Sequence, residues 1–388
     1  MKKSSKSVWS RFVMTFAAAF LLMFVTTVPV KADSSVPLVK GMKQTDASTN
    51  SAGISWSCPG NGIRFKIEYS EQISTGYEDY TNNIPQSSAS LTLTKLEPGK
   101  VYYVRITPIR YKLEGLGKYT TITGTTSQPF RVVTAPDSTP ASLTHVKSST
   151  DTIKVKWSAV PGADTYEVEY YIDSSKARKC VTTKTGVTLK KLAKNETYTI
   201  YVTAGRRYAD GTTTAWSDND LYKWGIPVKP SKVSGVDVTH YWQNLSEICV
   251  ENSRIGCADG YQYQLYTAYK DKDSKIKTVT TSSAYTYIKT SALKKHNFYK
   301  VKVRAYALNS KNEKMYGSWS SWKYVSPQPD VTSKKHTQKG IKINWDKING
   351  ADRYVVYVST KKDSGYKKFQ TTGKNSTTIT CLLYTSPS

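Results

Sequence analysis

A sequence repeat of about 95 residues constrains this chain more than any other feature. Three tryptophans each end a short run in which apolar and polar residues alternate: Trp56, Trp157 and Trp345. Nine residues after each tryptophan, an aromatic residue begins a second alternating run: Phe65, Tyr166 and Tyr354. A further copy begins at Tyr261, with Asn252 in the tryptophan position. Alternation with a period of two predicts β-strands with one buried face, so we expect the three tryptophans in the core.

A second landmark falls later in each unit. A leucine is followed six residues later by a tyrosine in three pairs: Leu96 and Tyr102, Leu192 and Tyr198, Leu293 and Tyr299. Turn-forming residues lie between the two, and each tyrosine begins a third alternating run. This pattern matches the tyrosine corner of immunoglobulin-like sandwiches, in which the tyrosine hydroxyl bonds to the backbone. We therefore expect these tyrosines to be structural, and the same period of two predicts that four others face inward: Tyr69, Tyr166, Tyr170 and Tyr261.

With these landmarks in place, the units resemble fibronectin type III domains of a bacterial, secreted type. The family carries a tryptophan on strand B, an alternating Tyr-x-Val-x-Tyr run on strand C, and a leucine and a tyrosine around the E–F corner. A Trp-Ser pair before the last strand also matches, at Trp216 and at Trp319, whereas the first unit has Tyr119 in that region. The resemblance covers nearly everything after residue 33. It implies an all-β fold of tandem immunoglobulin-like sandwiches.

Proline-rich segments separate the units and set the expected boundaries. They predict a signal peptide at 1–32 followed by four modules: module 1 at 33–134, module 2 at 135–228, module 3 at 229–327 and an incomplete module 4 at 328–388. Module 4 stops before any tyrosine corner, which would leave an open core and an unpaired strand edge. Residues 381–388 resemble the translated read-through of a sequencing adapter, so we expect them to be artefactual and the natural protein to continue beyond Thr380.

The first 32 residues have the layout of a secretory signal. A basic start is followed by an apolar run at 12–25, and Val30 and Ala32 precede the expected cleavage between Ala32 and Asp33. The alternative is a membrane anchor, but the run is shorter than the roughly 20 residues that span a bilayer. We therefore expect a secreted chain, and cell-wall attachment is a further option. No transmembrane segment is expected in the mature chain.

Three tryptophans near loops could be partly exposed: Trp216, Trp319 and Trp322. Exposed aromatic rings could stack on sugars, while the alternative, which we favour, is packing against a neighbouring module or strand edge. Cys249 and Cys257 could close a small disulfide outside the cell or stay unpaired. Cys58 and Cys180 fall in different modules and are expected to be free thiols.

The chain shows no set of residues that points to catalysis. Four histidines stand singly, without the spacing of a metal site: His145, His240, His296 and His336. No nucleophile elbow, phosphate loop or recurring pair of carboxylates occurs. We therefore predict no enzyme activity, no cofactor and no metal within this fragment.

The charge points to a partner class. The formal net charge of +27 falls to +22 without residues 1–32, and the lysines are spread over outward strand positions such as Lys154 and Lys156. Such a surface predicts association with an anionic cell-wall polymer, a polysaccharide or another surface protein, and not with nucleic acid. We expect a non-catalytic spacer or adhesion scaffold. The alternative is the accessory region of a secreted glycosidase or peptidase whose catalytic domain lies further along the polypeptide.

Overall fold

The structure of this chain is a computed structural model that describes residues 36–173, 176–240, 245–269, 273–325 and 327–380. The regular elements of those residues are strands, apart from one short 3-10 helix at Gln86–Ser88. The all-β fold expected from the alternating patterns is confirmed. In the described part of the chain, no helix is both long and apolar enough to cross a membrane. The expected signal peptide and the expected artefact at 381–388 lie outside the described residues.

The chain divides into two compact units. The first holds Ser55–Leu91, Tyr103–Phe130 and the described residues up to Lys43. The second holds Gln44–Ile54, Thr92–Tyr102 and the described residues from Arg131 to Thr380. The corner of module 1 and all of modules 2, 3 and 4 therefore belong to the second unit. Every contact between modules that is described below lies within that unit.

Module 1 contributes eight strands: β1 (Lys40–Ala47), β2 (Ser51–Ser57), β3 (Ile63–Ser70), β4 (Glu78–Pro85), β5 (Ser90–Thr94), β6 (Val101–Gly115), β7 (Lys118–Thr123) and β8 (Phe130–Val133). One sheet has the order β1-β2-β5, and the other has the order β4-β3-β6-β7 with β8 also paired to β6. The pairs of β3 with β4 and β6 are antiparallel. Strand β3 therefore has a partner on each side.

Module 2 repeats this plan with seven strands: β9 (Leu143–Ser148), β10 (Ile153–Trp157), β11 (Thr165–Tyr171), β12 (Arg178–Thr182), β13 (Gly186–Leu189), β14 (Thr197–Arg207) and β15 (Thr214–Pro227). The sheet orders are β13-β10-β9 and β12-β11-β14-β15. Strand β10 shows why these residues fold this way, since its isoleucine, valine and tryptophan are buried and its two lysines are exposed.

Module 3 has eight strands: β16 (Asp237–His240), β17 (Glu247–Glu251), β18 (Gly260–Thr267), β19 (Lys275–Thr281), β20 (Tyr285–Lys289), β21 (Tyr299–Leu308), β22 (Lys314–Tyr316) and β23 (Lys323–Val325). Its sheets have the orders β16-β17-β20 and β19-β18-β21-β22, with β23 also paired to β21. Among the described residues, module 4 has five strands: β24 (Val331–Thr337), β25 (Gly340–Trp345), β26 (Tyr354–Val358), β27 (Lys367–Thr372) and β28 (Ser376–Ile379). They form a sheet β24-β25-β28 and a pair β26-β27.

The tryptophan positions lie in the cores. Trp56, Trp157 and Trp345 are buried, and each ring packs edge-on against the aromatic residue nine positions later, with ring centroids 5.2, 5.5 and 5.4 Å apart respectively. In module 3, a hydrogen bond stands in for this ring contact. The hydroxyl of fully buried Tyr263 donates to Asn252 Oδ1 at 2.6 Å.

One inward position departs from the strict alternation. Tyr69 is only half-buried, whereas its neighbour Glu68 is buried and forms an ion pair with Arg105 at 3.0 Å. The ladder between β3 and β4 shifts register on both sides of Ile67. Such irregularities change which side chains face the core, so the period of two does not hold to the end of this strand.

Candidate functional site: the joints between modules

The tyrosine at each corner fixes the turn that precedes it. Tyr102, Tyr198 and Tyr299 are buried, and their hydroxyls accept hydrogen bonds from turn amides 2.7 to 2.8 Å away. The donors are the amides of Glu97, Ala193 and Lys294 respectively. We call these turns the E–F corners, at residues 96–102, 192–198 and 293–299. Each bond ties the turn to the tyrosine side chain and satisfies an amide that would otherwise be unpaired.

A second set of tyrosines fixes the turns between the tryptophan position and the aromatic residue nine positions later, a role that the sequence did not reveal. The hydroxyls of Tyr166, Tyr261 and Tyr354 accept hydrogen bonds from the amides of Val160, Ile255 and Ile348 at 3.0, 2.9 and 2.9 Å. We call these turns the B–C turns, at residues 157–166, 252–261 and 345–354. A sequence signal does exist, because module 1 has Phe65 at this position and the later modules have tyrosine.

The E–F corner of one module touches the B–C turn of the next, and we call each such contact a joint. At the first joint, Gly99 and Gly162 both have positive φ, of 62° and 79°. A Cβ on Gly162 would lie 2.4 Å from the Gly99 carbonyl oxygen, so the two backbones are in direct contact. Arg206 Nη1 donates to both glycine carbonyls, at 2.9 and 2.6 Å. One guanidinium therefore links the two turns.

The second joint has the same arrangement with different residues. A Cβ on Gly256 would lie 2.7 Å from the carbonyl oxygen of Asn195, which itself has a positive φ of 63°. The Asn195 side chain accepts a hydrogen bond from the Ser231 amide at 3.0 Å. The buried apolar residues of modules 2 and 3 also form one continuous cluster. This joint therefore combines backbone contact, hydrogen bonding and apolar packing.

The third joint is more polar. The Asn349 amide donates to the His296 carbonyl at 2.8 Å, and the Phe298 amide donates to the Asn349 carbonyl at 3.1 Å. The Asn349 side-chain amide donates to Asn297 Oδ1 at 2.9 Å. A Cβ on Gly350 would lie 2.6 Å from the carbonyl oxygen of Ala268. Two short segments are thus paired backbone to backbone across the boundary.

Ionisable side chains meet at the third joint as well. His296, Asp330 and Asp346 place one ligand atom each within 4.8 Å of one another, a grouping in the described chain that could hold a metal ion. Residues so far apart in sequence show no metal-binding spacing, which is why the sequence predicted none. However, the Lys295 ammonium contacts Asp330, and His296 Nε2 lies 3.4 Å from Asp346 Oδ2. The Lys295–Asp330 ion pair and the contact between His296 and Asp346 across the joint account for the cluster.

The loop tryptophans are packed by their own modules. Trp319 has Lys302 and Arg304 over its ring at 4.6 and 4.4 Å, and Trp322 has Lys300 over its ring at 4.5 Å. Trp216 lies against Gly205, where a Cβ would be 2.4 Å from the indole. Cations over an aromatic face occupy the surface that a sugar would need, so this geometry supports internal packing. Among the tryptophans that the structure describes, Trp224 is the most exposed, and the sequence did not single it out.

The sequence left open whether Cys249 and Cys257 pair. Cys58, Cys180, Cys249 and Cys257 are free thiols in the described chain, so the disulfide considered for Cys249 and Cys257 is absent. Cys249 alternates with buried Ile248 and Val250 on β17 and therefore faces away from the core. Cys257 is buried, and burial raises the pKa of its thiol to about 12. Cys249 thus faces away from the core on β17, whereas Cys257 is buried in the B–C turn.

A group of lysines lines a groove on the surface of module 2. Lys154, Lys156, Lys184 and Lys190 line a shallow groove of about 680 Å³ beside strands β10 and β13, and no carboxylate lines it. Threonines and Gly186 make up most of the remaining lining. The positive field of each lysine is therefore uncompensated within the groove. We call this feature the lysine groove.

Comparison with known proteins assigns the family. Residues 37–124 and 138–220 match the sequence model of the fibronectin type III domain. The chain is a tandem fibronectin type III protein. Domains of this family are generally non-catalytic, and an array of them fits a modular adhesion or spacer-type protein. Proteins with such domains are typically extracellular or surface proteins.

Relatives of the fibronectin type III chain are distant. Human Tenascin-N is 25% identical over 327 residues, which is 80% of this chain and 23% of that protein. The chain therefore spans about a quarter of the length of this curated relative. Among solved structures, the FN1–FN3 domains of chicken CNTN1 are 18% identical and cover 75% of this chain and 99% of their own, with a TM-score of 0.28. A two-domain fibronectin type III segment from chicken tenascin is 19% identical and covers 48% of this chain and 97% of its own, with a TM-score of 0.25.

Proposed function

We propose that this fibronectin type III array is a secreted, non-catalytic spacer in which the second and third joints hold modules 2, 3 and 4 in a fixed orientation. The observation that carries the proposal is the repeated backbone contact between an E–F corner and the next B–C turn. Domains joined by linkers usually move relative to one another unless an interface resists it. Here tyrosine hydroxyls fix both turns of each joint, so bending a joint requires breaking hydrogen bonds or separating packed backbone.

Distance measurement across the second joint tests this proposal. Spin labels would be placed at two exposed positions, Lys184→Cys in module 2 and Lys277→Cys in module 3, with the native cysteines replaced. A fixed joint is expected to give one narrow distance distribution by double electron–electron resonance. Gly256→Val should broaden or shift it, because a side chain at this position meets the Asn195 carbonyl.

The matched control is Gly373→Ala, where a Cβ would sit in ordinary contact 3.6 Å from the Asp352 carbonyl. It should leave the distribution unchanged. A wild-type distribution as broad as that of Gly256→Val would contradict the spacer proposal, because the joint would then bend freely without any added side chain.

A second function, adhesion to an anionic polysaccharide, is favoured by the lysine groove. Its four lysines and the absence of a carboxylate in its lining supply a local positive field, to which the net charge of the chain adds. The proposed ligand is a sulfated or otherwise anionic polymer at a cell surface. Binding should weaken steeply with salt, because screening acts on exposed charges.

Binding to dextran sulfate, with neutral dextran as the reference, tests the groove. The double variant Lys154→Gln and Lys156→Gln is expected to weaken binding about tenfold, since it removes two of the four groove charges. The control Lys361→Gln and Lys362→Gln removes the same charge from an exposed loop of module 4. An equal loss of affinity in both double variants would show that binding depends on the overall charge, and it would refute a role for the groove.

A further inference from the structure

Three tyrosines, which we call the tyrosine stack, lie on the outward face of the larger sheet of module 2: Tyr171 on β11, Tyr201 on β14 and Tyr222 on β15. The ring centroids of Tyr171 and Tyr201 are 6.0 Å apart, and those of Tyr201 and Tyr222 are 5.3 Å apart, with ring planes inclined by 21° and 25°. Strand β15 ends the sheet in the described chain, and Tyr222 is 58% exposed. One face of the Tyr222 ring therefore lies against Tyr201, and the other has no ring or cation against it among the described residues.

Modules 1 and 3 place a cation among aromatic rings where module 2 has the tyrosine stack. The outward position three residues after the corner tyrosine holds Arg105 in module 1, Tyr201 in module 2 and Lys302 in module 3. The Arg105 guanidinium lies 4.0 Å from the centre of the Tyr77 ring. The Lys302 ammonium lies 4.6 to 5.1 Å from three ring centres, those of Tyr266, Trp319 and Trp322. Module 2 thus has the rings but supplies no cation to them from its described residues.

The surface beside the tyrosine stack is acidic, although the chain as a whole has a formal net charge of +27. Glu167 and Glu169 alternate with buried residues on β11, and Asp220 lies two residues before Tyr222 on β15. Lys179 bonds to both glutamates, at 2.8 and 3.0 Å, whereas Asp220 forms no ion pair in the described chain. Three carboxylates thus face one ammonium group, which leaves a local negative field. A cation is attracted by this field and by the open face of the Tyr222 ring.

Module 3 shows how an arginine fits such a surface. Arg304 Cζ lies 3.7 Å from the centre of the Tyr316 ring. Its Nη2 donates to Gln262 Oε1, on the neighbouring strand, at 2.7 Å. A planar guanidinium therefore stacks on a ring and donates to an oxygen of the sheet at the same time.

We propose that the tyrosine stack is the docking site for a basic segment of a partner polypeptide, with an arginine side chain on the open face of Tyr222. The guanidinium stacks on the ring and donates to the carboxylate of Asp220. The carboxylates of this surface repel an anionic polymer such as the one proposed for the lysine groove. A second copy of the chain would bring two large positive charges together, so a separate partner is the occupant. The site goes beyond the spacer function and does not depend on fixed joints.

A labelled peptide in which three arginines alternate with glycines is the probe, and the intact 388-residue chain is the receptor. The reference peptide carries citrulline in place of each arginine, which keeps the shape of the side chain and removes its charge. Fluorescence anisotropy at physiological salt gives both affinities. We expect the arginine peptide to bind at least about tenfold more tightly, because it adds a cation–π contact and a charge-assisted hydrogen bond. The net positive charge of the chain opposes this preference, so the preference reports a local acidic and aromatic site.

Variants of the tyrosine stack locate the site. Tyr222→Leu removes the ring and should weaken binding of the arginine peptide about tenfold, whereas Tyr222→Phe keeps the ring face and should retain the affinity. The matched control Tyr119→Leu, at a tyrosine of module 1 that is 64% exposed, should change the affinity less than about twofold. Asp220→Asn should weaken binding about fivefold, and Asp363→Asn, in an exposed loop of module 4, less than about twofold.

Equal binding of the two peptides would overturn the proposal, as would equal effects of Tyr222→Leu and Tyr119→Leu. Concentration-dependent dimers that Tyr222→Leu abolishes would overturn it too, by assigning the tyrosine stack to a second copy of the chain. Failure of this site is distinguishable from failure of the spacer, because the spacer is measured by the distance distribution across the second joint.

Discussion

Replacing Tyr198 by phenylalanine removes a single hydroxyl from the E–F corner at the second joint. Tyr198 is 4% exposed, so the phenylalanine ring fits the same space. What is lost is the hydrogen bond that the Ala193 amide donates at 2.7 Å. A partly buried donor left without its acceptor costs about 1–3 kcal/mol. That range corresponds to a factor of about 5 to 150 in the equilibrium for opening the corner.

Native-state hydrogen exchange measures this opening directly. Peptides that cover residues 192–198 should exchange faster in Tyr198→Phe by the same factor, with a smaller effect on the opposite side of module 2. The matched control is Tyr170→Phe, which removes a hydroxyl from another buried tyrosine of the same module. The hydroxyl of Tyr170 makes no hydrogen bond to the described residues. Its corner should exchange at the wild-type rate. Unchanged exchange at the corner of Tyr198→Phe would refute the view that the hydroxyl fixes this turn.

Three further results are expected. Gly256→Ala should destabilise the second joint by about 1–3 kcal/mol through overpacking against the Asn195 carbonyl, whereas Gly373→Ala should be near neutral; calorimetric unfolding of both variants compares them. Burial, with a smaller contribution from Lys223, lowers the pKa of His145 below its ordinary value of 6.5. The unfolded chain therefore binds more protons below pH 6.5, so stability is complete above that pH and falls as the pH drops, a slope that His145→Gln should reduce in denaturant titrations. Finally, Cys257 should react with iodoacetamide at least about a hundredfold more slowly than the half-buried thiols, because it is buried with a pKa of about 12.

The fold follows from local sequence because each strand buries one face. The alternation in Ile153–Trp157 predicts which side chains enter the core, and the sequence repeat extends this prediction to the other modules. The period fails where the ladder shifts register, as at Ile67, because a bulge depends on the partner strand and not on the strand itself. The same alternation predicts that Cys249 faces away from the core, because its neighbours Ile248 and Val250 are the buried residues of β17.

The joints could not be predicted in the same way. Gly162 and Gly256 are readable as turn residues, but their contact with the preceding corner depends on how two folded modules meet. In the sequence, Tyr166 is an ordinary core tyrosine. The role of its hydroxyl becomes visible only in the structure, where the Val160 amide donates to it at 3.0 Å. The module boundaries drawn from the proline-rich segments stay predictions.

The most direct test of fixed joints is the alignment of modules 2 and 3 in solution. Backbone residual dipolar couplings, measured on the intact protein with each module labelled in turn, report the orientation of each module relative to the same external frame. The joint geometry at Gly256 and Asn195 predicts that one alignment tensor, of one magnitude, fits both modules in the orientation of the structure. Tensors of clearly different magnitude in the two modules would show that they reorient independently, and that result would contradict the proposed spacer.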